Sequence, residues 1–109
     1  MRAAILESLD SPLEIREIET TELEVGQVLV QIIYAGVCGS QIQEIKGHKG
    51  NANFLPHLMG HEGVGRVLKV GLGVRSVFPG QKVILHWRQG KGIDSDFPQY
   101  IFRGQKITS

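Results

Sequence analysis

A mainly β domain, a barrel or a sandwich, is predicted by three features of this sequence. Fourteen glycines in 109 residues are spread between β-branched runs, the pattern of many tight turns and bulges. Apolar and polar residues alternate in short stretches separated by Pro, Gly, Asp and Ser. Helical periodicity is confined to a single segment. The length suits one domain with a modest core, and neither an internal repeat nor an interdomain linker divides it.

The elements follow in order. Ala3-Ala4-Ile5-Leu6 is a short apolar run and Leu13 to Ile18 alternates, so two paired strands are expected on either side of the turn signal Asp10-Ser11-Pro12. After a polar stretch from Thr20 to Gly26, Val28 to Ala35 reads as a long, largely buried strand that runs into Gly36-Val37-Cys38-Gly39. Ile42 and Ile45 then recur at three-residue spacing among Gln41, Gln43, Glu44 and Lys46. With Ser40 as N-cap and Gly47 as the terminating glycine, this predicts a short helix over about Ser40 to Lys46. His48 to His57, containing Gly50-Asn51-Ala52-Asn53 and Pro56, predicts an exposed loop. Val64 to Val70 is a strand, Gly71-Leu72-Gly73 and Phe78-Pro79-Gly80 are turns, and Lys82 to Trp87 reads as a buried strand. Arg88 to Ser109 is polar, with one strand near Tyr100 to Phe102, and reads as the interrupted end of a domain.

Composition narrows the function classes. A net charge of +1 with acids and bases interspersed gives no electrostatic case for nucleic acid or anionic lipid. No apolar run approaches the roughly 18 residues that span a membrane. Met1-Arg2-Ala3-Ala4 precedes no signal-peptide apolar region, and the single cysteine cannot form an internal disulfide; both fit a cytoplasmic protein.

That cysteine, Cys38, together with His61 and Glu62 of Gly60-His61-Glu62-Gly63-Val64-Gly65, comprises residue types that bind zinc. A thiol just before a helix N-terminus favours the thiolate that metals take. Twenty-two residues separate Cys38 from His61, so only the fold could bring them together. Taken singly, Cys38 reads more readily as a small buried hydrophobe and His61 as a hydrogen-bonded structural residue.

The ordered pattern is more specific. Gly60-His61-Glu62, Gly65, Gly71 and Val74 at their spacing resemble the signature of the zinc-containing alcohol dehydrogenases, the medium-chain dehydrogenase/reductase superfamily. Cys38-Gly39-Ser40 resembles that family's cysteine-glycine-serine/threonine element, and Pro56 and Phe78-Pro79-Gly80-Gln81-Lys82-Val83 resemble further family segments. The resemblance runs from Met1 to about Val83. It implies that residues 1–109 form a GroES-like, distorted β-barrel catalytic domain with one or two short helices, followed after Ser109 by a Rossmann domain that binds NAD or NADP. It implies zinc held by Cys38 and His61, with Glu62 as a direct or intermittent ligand and a further ligand beyond Ser109. Ser40 and Glu62 are the implied catalytic residues, Ser40 bonding the substrate oxygen and passing its proton outward. Zinc with an open position polarises a small alcohol or carbonyl, and hydride passes to or from the nicotinamide. The full-length protein is expected to be a homo-oligomer, and the isolated domain inactive.

The sequence departs from the family at several points. Gln41 replaces a frequent aspartate, Gln43 stands where some members carry a relay histidine so that the relay ends at Ser40, and Gln81 replaces a turn aspartate. Arg88 to Ser109 has no cysteine-rich lobe for a second zinc. An alternative is a non-catalytic GroES-like binding module with a decayed site, against which Cys38, Ser40, His61 and Glu62 count together because a scaffold has no need for that set; a co-chaperonin ring subunit has less support. His48 and His57 read as solvated loop histidines, His86-Trp87 as strand-end rim residues, and Lys46 and Lys49 as ordinary surface charges. The glycines at 60, 63 and 65 do not form a dinucleotide fingerprint.

Overall fold

The computed structural model describes residues 1–48, 50 and 53–109. Lys49 and two residues of the expected loop, Asn51 and Ala52, lie outside them. Nine strands and one helix are present among the described residues, arranged as three three-stranded sheets. Among the described residues no helix is long and apolar enough to cross a membrane. The chain falls into two compact units, the first comprising Met1–Thr21, Val37–Gly60 and Phe97–Ser109 and the second Glu22–Gly36 and His61–Asp96.

In the first unit the expected pair forms: β1 (Arg2–Leu6) runs antiparallel to β2 (Glu14–Glu17), with Arg2 opposite Glu17 and Ile5 opposite Glu14. The first and last residues of this ribbon close it, since Met1 and Ile18 exchange backbone hydrogen bonds at 2.8 Å. A second sheet joins β3 (Glu19–Thr20) to the hairpin of β8 (Gln99–Phe102) and β9 (Gln105–Thr108). Only β8 is expected from sequence. The hairpin turn is Arg103-Gly104, both at positive φ (49° and 74°), the backbone of a two-residue hairpin turn. Arginine is not a usual first residue there, which is why the turn is not legible. The core is Ile5, Ile18, Phe102 and Ile107, with Ala3, Leu58 and Tyr100 packed on it. Burial holds the Tyr100 phenol above the usual tyrosine range, partly offset by a hydrogen bond with Ser109. At the rim Arg16 donates to Glu7 at 2.6 Å, and Arg103 approaches the same carboxylate at 3.4 Å. This pairing, chiefly the hydrogen bond from Arg16, holds the Glu7 carboxyl below the usual carboxylate range.

The helix α1 spans Gly39–Ile45 and is capped by Cys38, two residues earlier than the expected Ser40. Its end matches expectation: Gly47 sits at φ 77°, Gly47 N–H donates to Glu44 and His48 N–H to Gln43, the paired bonds of a Schellman motif. The loop reading of His48 to His57 fails at its last residue. His57 begins β5 (His57–Leu58), which adds to β1 with Leu58 opposite Ile5.

In the second unit β6 (Gly63–Val70) is flanked by β4 (Val28–Ala35) and β7 (Lys82–Leu85), all antiparallel. The expectation that β4 and β7 are buried is corrected here. Tyr34, Val64 and Ile84 are in register on one face of the sheet, yet Tyr34 is 74% and Ile84 75% exposed. Burial is concentrated on the other face, at Gly65 and Val67. Two register shifts interrupt the β4–β6 ladder, one between Leu29 and Val30 and one between Ile32 and Tyr34. The Phe78–Gln81 turn is closed by the Gln81 side chain, whose Oε1 accepts from Phe78 N–H at 2.8 Å, so Gln81 does structural work in that turn.

Candidate functional site

Cys38 has extended backbone (φ −101°, ψ 143°), as an N-cap requires. Its carbonyl accepts from Gln41 N–H at 3.0 Å and its own N–H donates to Gln41 Oε1 at 3.1 Å. This reciprocal arrangement satisfies Gln41, which at 8% exposed is the buried polar residue among those described. Gln41 thus orients the cysteine backbone, a role that its reading as a replacement for a frequent aspartate did not contain. Gln41→Ala leaves the Cys38 N–H without this acceptor and is expected to destabilise the full-length protein by about 1–2 kcal/mol. Gln41→Glu, which keeps the oxygen, should recover most of it; equal urea midpoints for Gln41→Ala and the parent would refute the capping role.

Ser40, one residue into α1, donates from Oγ to Cys38 Sγ at 3.3 Å, and both residues are half-buried. The first unit therefore carries a thiol and a hydroxyl in contact. Gln43 bonds through Oε1 to the His48 ring, which leaves it on the exposed side of α1.

His61 and Glu62 open the second stretch of the second unit, just before β6. Glu62 Oε2 lies 3.8 Å from His61 Nε2. The backbone carbonyl of Glu62 accepts from Gly36 N–H at 3.0 Å, extending the β4–β6 ladder by one bond beyond Ala35 opposite Gly63. Gly36 is a residue that sequence reasoning missed. A β-carbon on it would stand 2.8 Å from Glu62 Cγ and 2.9 Å from Cδ, so a larger residue there would force the Glu62 side chain to turn away from its present rotamer. The available signal was a glycine at the end of a strand, two residues before the only cysteine.

The chain passes out of the second unit after Gly36 and returns to it at His61. The Gly36–Glu62 hydrogen bond, wholly inside that unit, holds these two points together.

The remaining candidates separate clearly. His57 is only 16% exposed and its Nε2 lies 3.1 Å from Glu44 Oε1, which corrects its reading as a solvated loop residue. His48 is exposed, as is His86, whose Nδ1 accepts from Arg88 N–H at 3.0 Å. Trp87 is 75% exposed with the Arg88 guanidinium 5.9 Å from its ring centre, in keeping with a rim position. Lys46 caps the C-terminus of α1.

Residues 24–101, most of the chain, match the alcohol dehydrogenase GroES-like domain. The chain belongs to that family. An alcohol dehydrogenase of Geobacillus stearothermophilus is 40% identical over 87 residues, a match covering 80% of this chain and 26% of that protein. An NAD-dependent alcohol dehydrogenase superposes with a TM-score of 0.72 at 30% identity, over 77% of this chain and 25% of the other. Zinc-dependent alcohol dehydrogenase 2 from Streptococcus pneumonia superposes with a TM-score of 0.67 at 25% identity, over 79% and 24%. The GroES-like β fold anticipated from the ordered motif is thus the observed one, and the chain spans about a quarter of the length of the relatives it matches.

Proposed function

We propose that this chain is the zinc- and substrate-binding part of an NAD(P)-linked alcohol dehydrogenase, acting with a nucleotide-binding Rossmann domain that residues 1–109 do not include. The observation that carries the reading is the match of residues 24–101 to the alcohol dehydrogenase GroES-like domain, and within its own unit Glu62 is held to Gly36 by a ladder bond. The donor chemistry fits the metal: a thiolate, an imidazole and a carboxylate are all zinc ligands, and Ser40 already directs a hydroxyl proton at the sulfur. Zinc, when bound, supplies Lewis-acid polarisation of an alcohol or carbonyl oxygen. NAD and zinc also appear in the names of two of the structural relatives.

In this reading Cys38 and His61 hold the metal, and Glu62, one residue from His61, serves as a further or exchangeable ligand. Ser40 is the proton-handling group. Its hydroxyl can both donate and accept, so it can take the proton of a substrate alcohol and return one to a carbonyl. Gln43, engaged with His48, does not continue that path, so the proton leaves Ser40 for solvent.

Alcohol-dependent reduction of NAD or NADP by the full-length protein, with and without zinc, is the direct test. Activity that is lost on chelation and restored by zinc supports the reading; a fully metal-loaded protein inert to primary and secondary alcohols would overturn it. Ser40→Ala should lower kcat about 10²-fold or more while zinc content stays unchanged, and Ser40→Thr should retain activity. An unchanged kcat in Ser40→Ala would remove Ser40 from the proton path.

A further inference from the structure

We propose that Glu44 and His57 form a positioning pair that sets how tightly the Cys38 and His61 ligands hold zinc; this rests on the metal-binding reading above. Glu44 lies in the last turn of α1, the helix that Cys38 caps, and His57 opens β5, four residues before His61. The two side chains meet at 3.1 Å and are only 18% and 16% exposed, within the first unit. Such shielding separates this contact from an exposed surface ion pair, most of which contribute little.

The protonation pattern is fixed by the partners. An ionised carboxylate only accepts, so His57 Nε2 carries the proton in this contact. The other ring nitrogen, Nδ1, is buried and finds no hydrogen-bond partner among the described residues, and the Phe54 ring stands edge-on to the imidazole with centroids 5.3 Å apart. Among the described residues, Glu44 is therefore the polar anchor of His57. Removing the carboxylate leaves both ring nitrogens of a shielded histidine unpaired.

The consequence reaches the ligands through the backbone. On one side of the contact, β5 is fixed to β1 by the pairing of Leu58 with Ile5 and by Met59 N–H donating to Ala4 at 3.2 Å. Gly60 and His61 follow directly. On the other side, α1 runs back from Glu44 to its cap at Cys38. The Glu44–His57 contact links these two segments within the first unit, so it constrains Cys38 at one end and Gly60, the residue before His61, at the other. Groups that act on a metal only by orienting its ligands typically change its affinity 10- to 100-fold when removed.

Zinc affinity of the full-length protein, measured by competition with a chromophoric chelator, tests this. Glu44→Ala is expected to weaken zinc binding about 10-fold, and Glu44→Gln, which keeps an oxygen for Nε2–H, to recover most of the loss. In a His57→Phe background Glu44→Ala should add nothing, because the pair acts as a unit. Where Glu44→Ala does not fold, His57→Asn serves for the same comparison. Parent-like affinity in Glu44→Ala, a loss that Glu44→Gln does not restore, or additive losses in the double variant would each overturn the proposal. Cys38→Ala as a control separates the two levels. Zinc retained in Cys38→Ala removes the metal-binding reading and this inference with it, whereas zinc lost there but unchanged in Glu44→Ala removes the positioning pair alone.

Discussion

Cys38→Ala is expected to reduce the zinc content of the full-length protein from about one ion per chain to a small fraction, and kcat/KM for an alcohol by about 10³-fold or more. A loss of that size corresponds to about 4 kcal/mol of transition-state stabilisation. The expectation rests on the thiolate being the softest and most strongly charge-donating of the three proposed ligands, for which no neighbouring group substitutes. The fold should survive. The cap that fixes the start of α1 uses the Cys38 backbone N–H and carbonyl with Gln41, neither of which the substitution touches. What the change removes locally is the sulfur to which Ser40 donates. Elemental analysis, a thermal melt and an alcohol-dependent NAD(P) assay on the same sample give the answer. Zinc loss with a near-parental melt would support a ligand, whereas retained zinc and activity would rule Cys38 out. Cys38→Ser should behave like Cys38→Ala, because a serine hydroxyl stays protonated where a thiol does not.

Gly65→Ala should be the most damaging of the single-atom additions near the site. Gly65 is buried in the middle of β6, the central strand of its sheet, opposite Ile32 on one side and Val83 on the other. A methyl there would stand 2.6 Å from the Gln31 carbonyl oxygen and run into a methyl of Val30. The carbonyl belongs to the paired strand β4, so it can withdraw only by opening the ladder. Overpacking against backbone of this kind costs about 3 kcal/mol. Gly39→Ala is the matched control. It lies in the first turn of α1 with open space around its would-be methyl, and alanine favours a helix by up to about 1 kcal/mol. Urea unfolding of both variants should therefore shift in opposite directions. A Gly65→Ala midpoint equal to that of the parent would mean that β4 and β6 yield more easily than their geometry implies.

This second result explains part of the motif. In Gly60-His61-Glu62-Gly63-Val64-Gly65 the last glycine is set by packing against β4 and not by chemistry. Gly63 is constrained in the same way, since a methyl there would come 2.5 Å from the Tyr34 carbonyl. Histidine and glutamate are thus delivered by a segment whose glycines exist to let two strands approach.

Where elements begin and what type they are was largely legible in the sequence. Alternation in Leu13 to Ile18 and the β-branched run Val28 to Ala35 mark strands because side chains of a strand project to alternate faces and β-branched residues fit a pleated surface. The spacing of Ile42 and Ile45, followed by Gly47, marks a helix and its end for similarly local reasons. The chemistry-bearing residues were legible too, because Cys38-Gly39-Ser40 and Gly60-His61-Glu62 are specific as ordered strings. Three things were not. Burial failed for β4 and β7, since apolar composition cannot say which face of a three-stranded sheet is covered, and Tyr34 and Ile84 stand on the open one. The cap of α1 was misplaced by two residues because cysteine is a rare cap, and its capping partner, Gln41, is revealed only by geometry. The hairpin of β8 and β9 was half missed because its turn uses Arg103 at positive φ.

The sequence by itself therefore determined the family, the strand-rich architecture and the residue types that could hold zinc, because each is written in local patterns of a few residues. The tertiary structure alone decided how those residues are held. Gly36 receives Glu62, Gln41 fastens the backbone of Cys38, and His57 finds Glu44 across a gap of thirteen positions in the chain. Such contacts depend on which backbone atoms come within a few ångströms once strands pair, and that distance is not a property of any local segment.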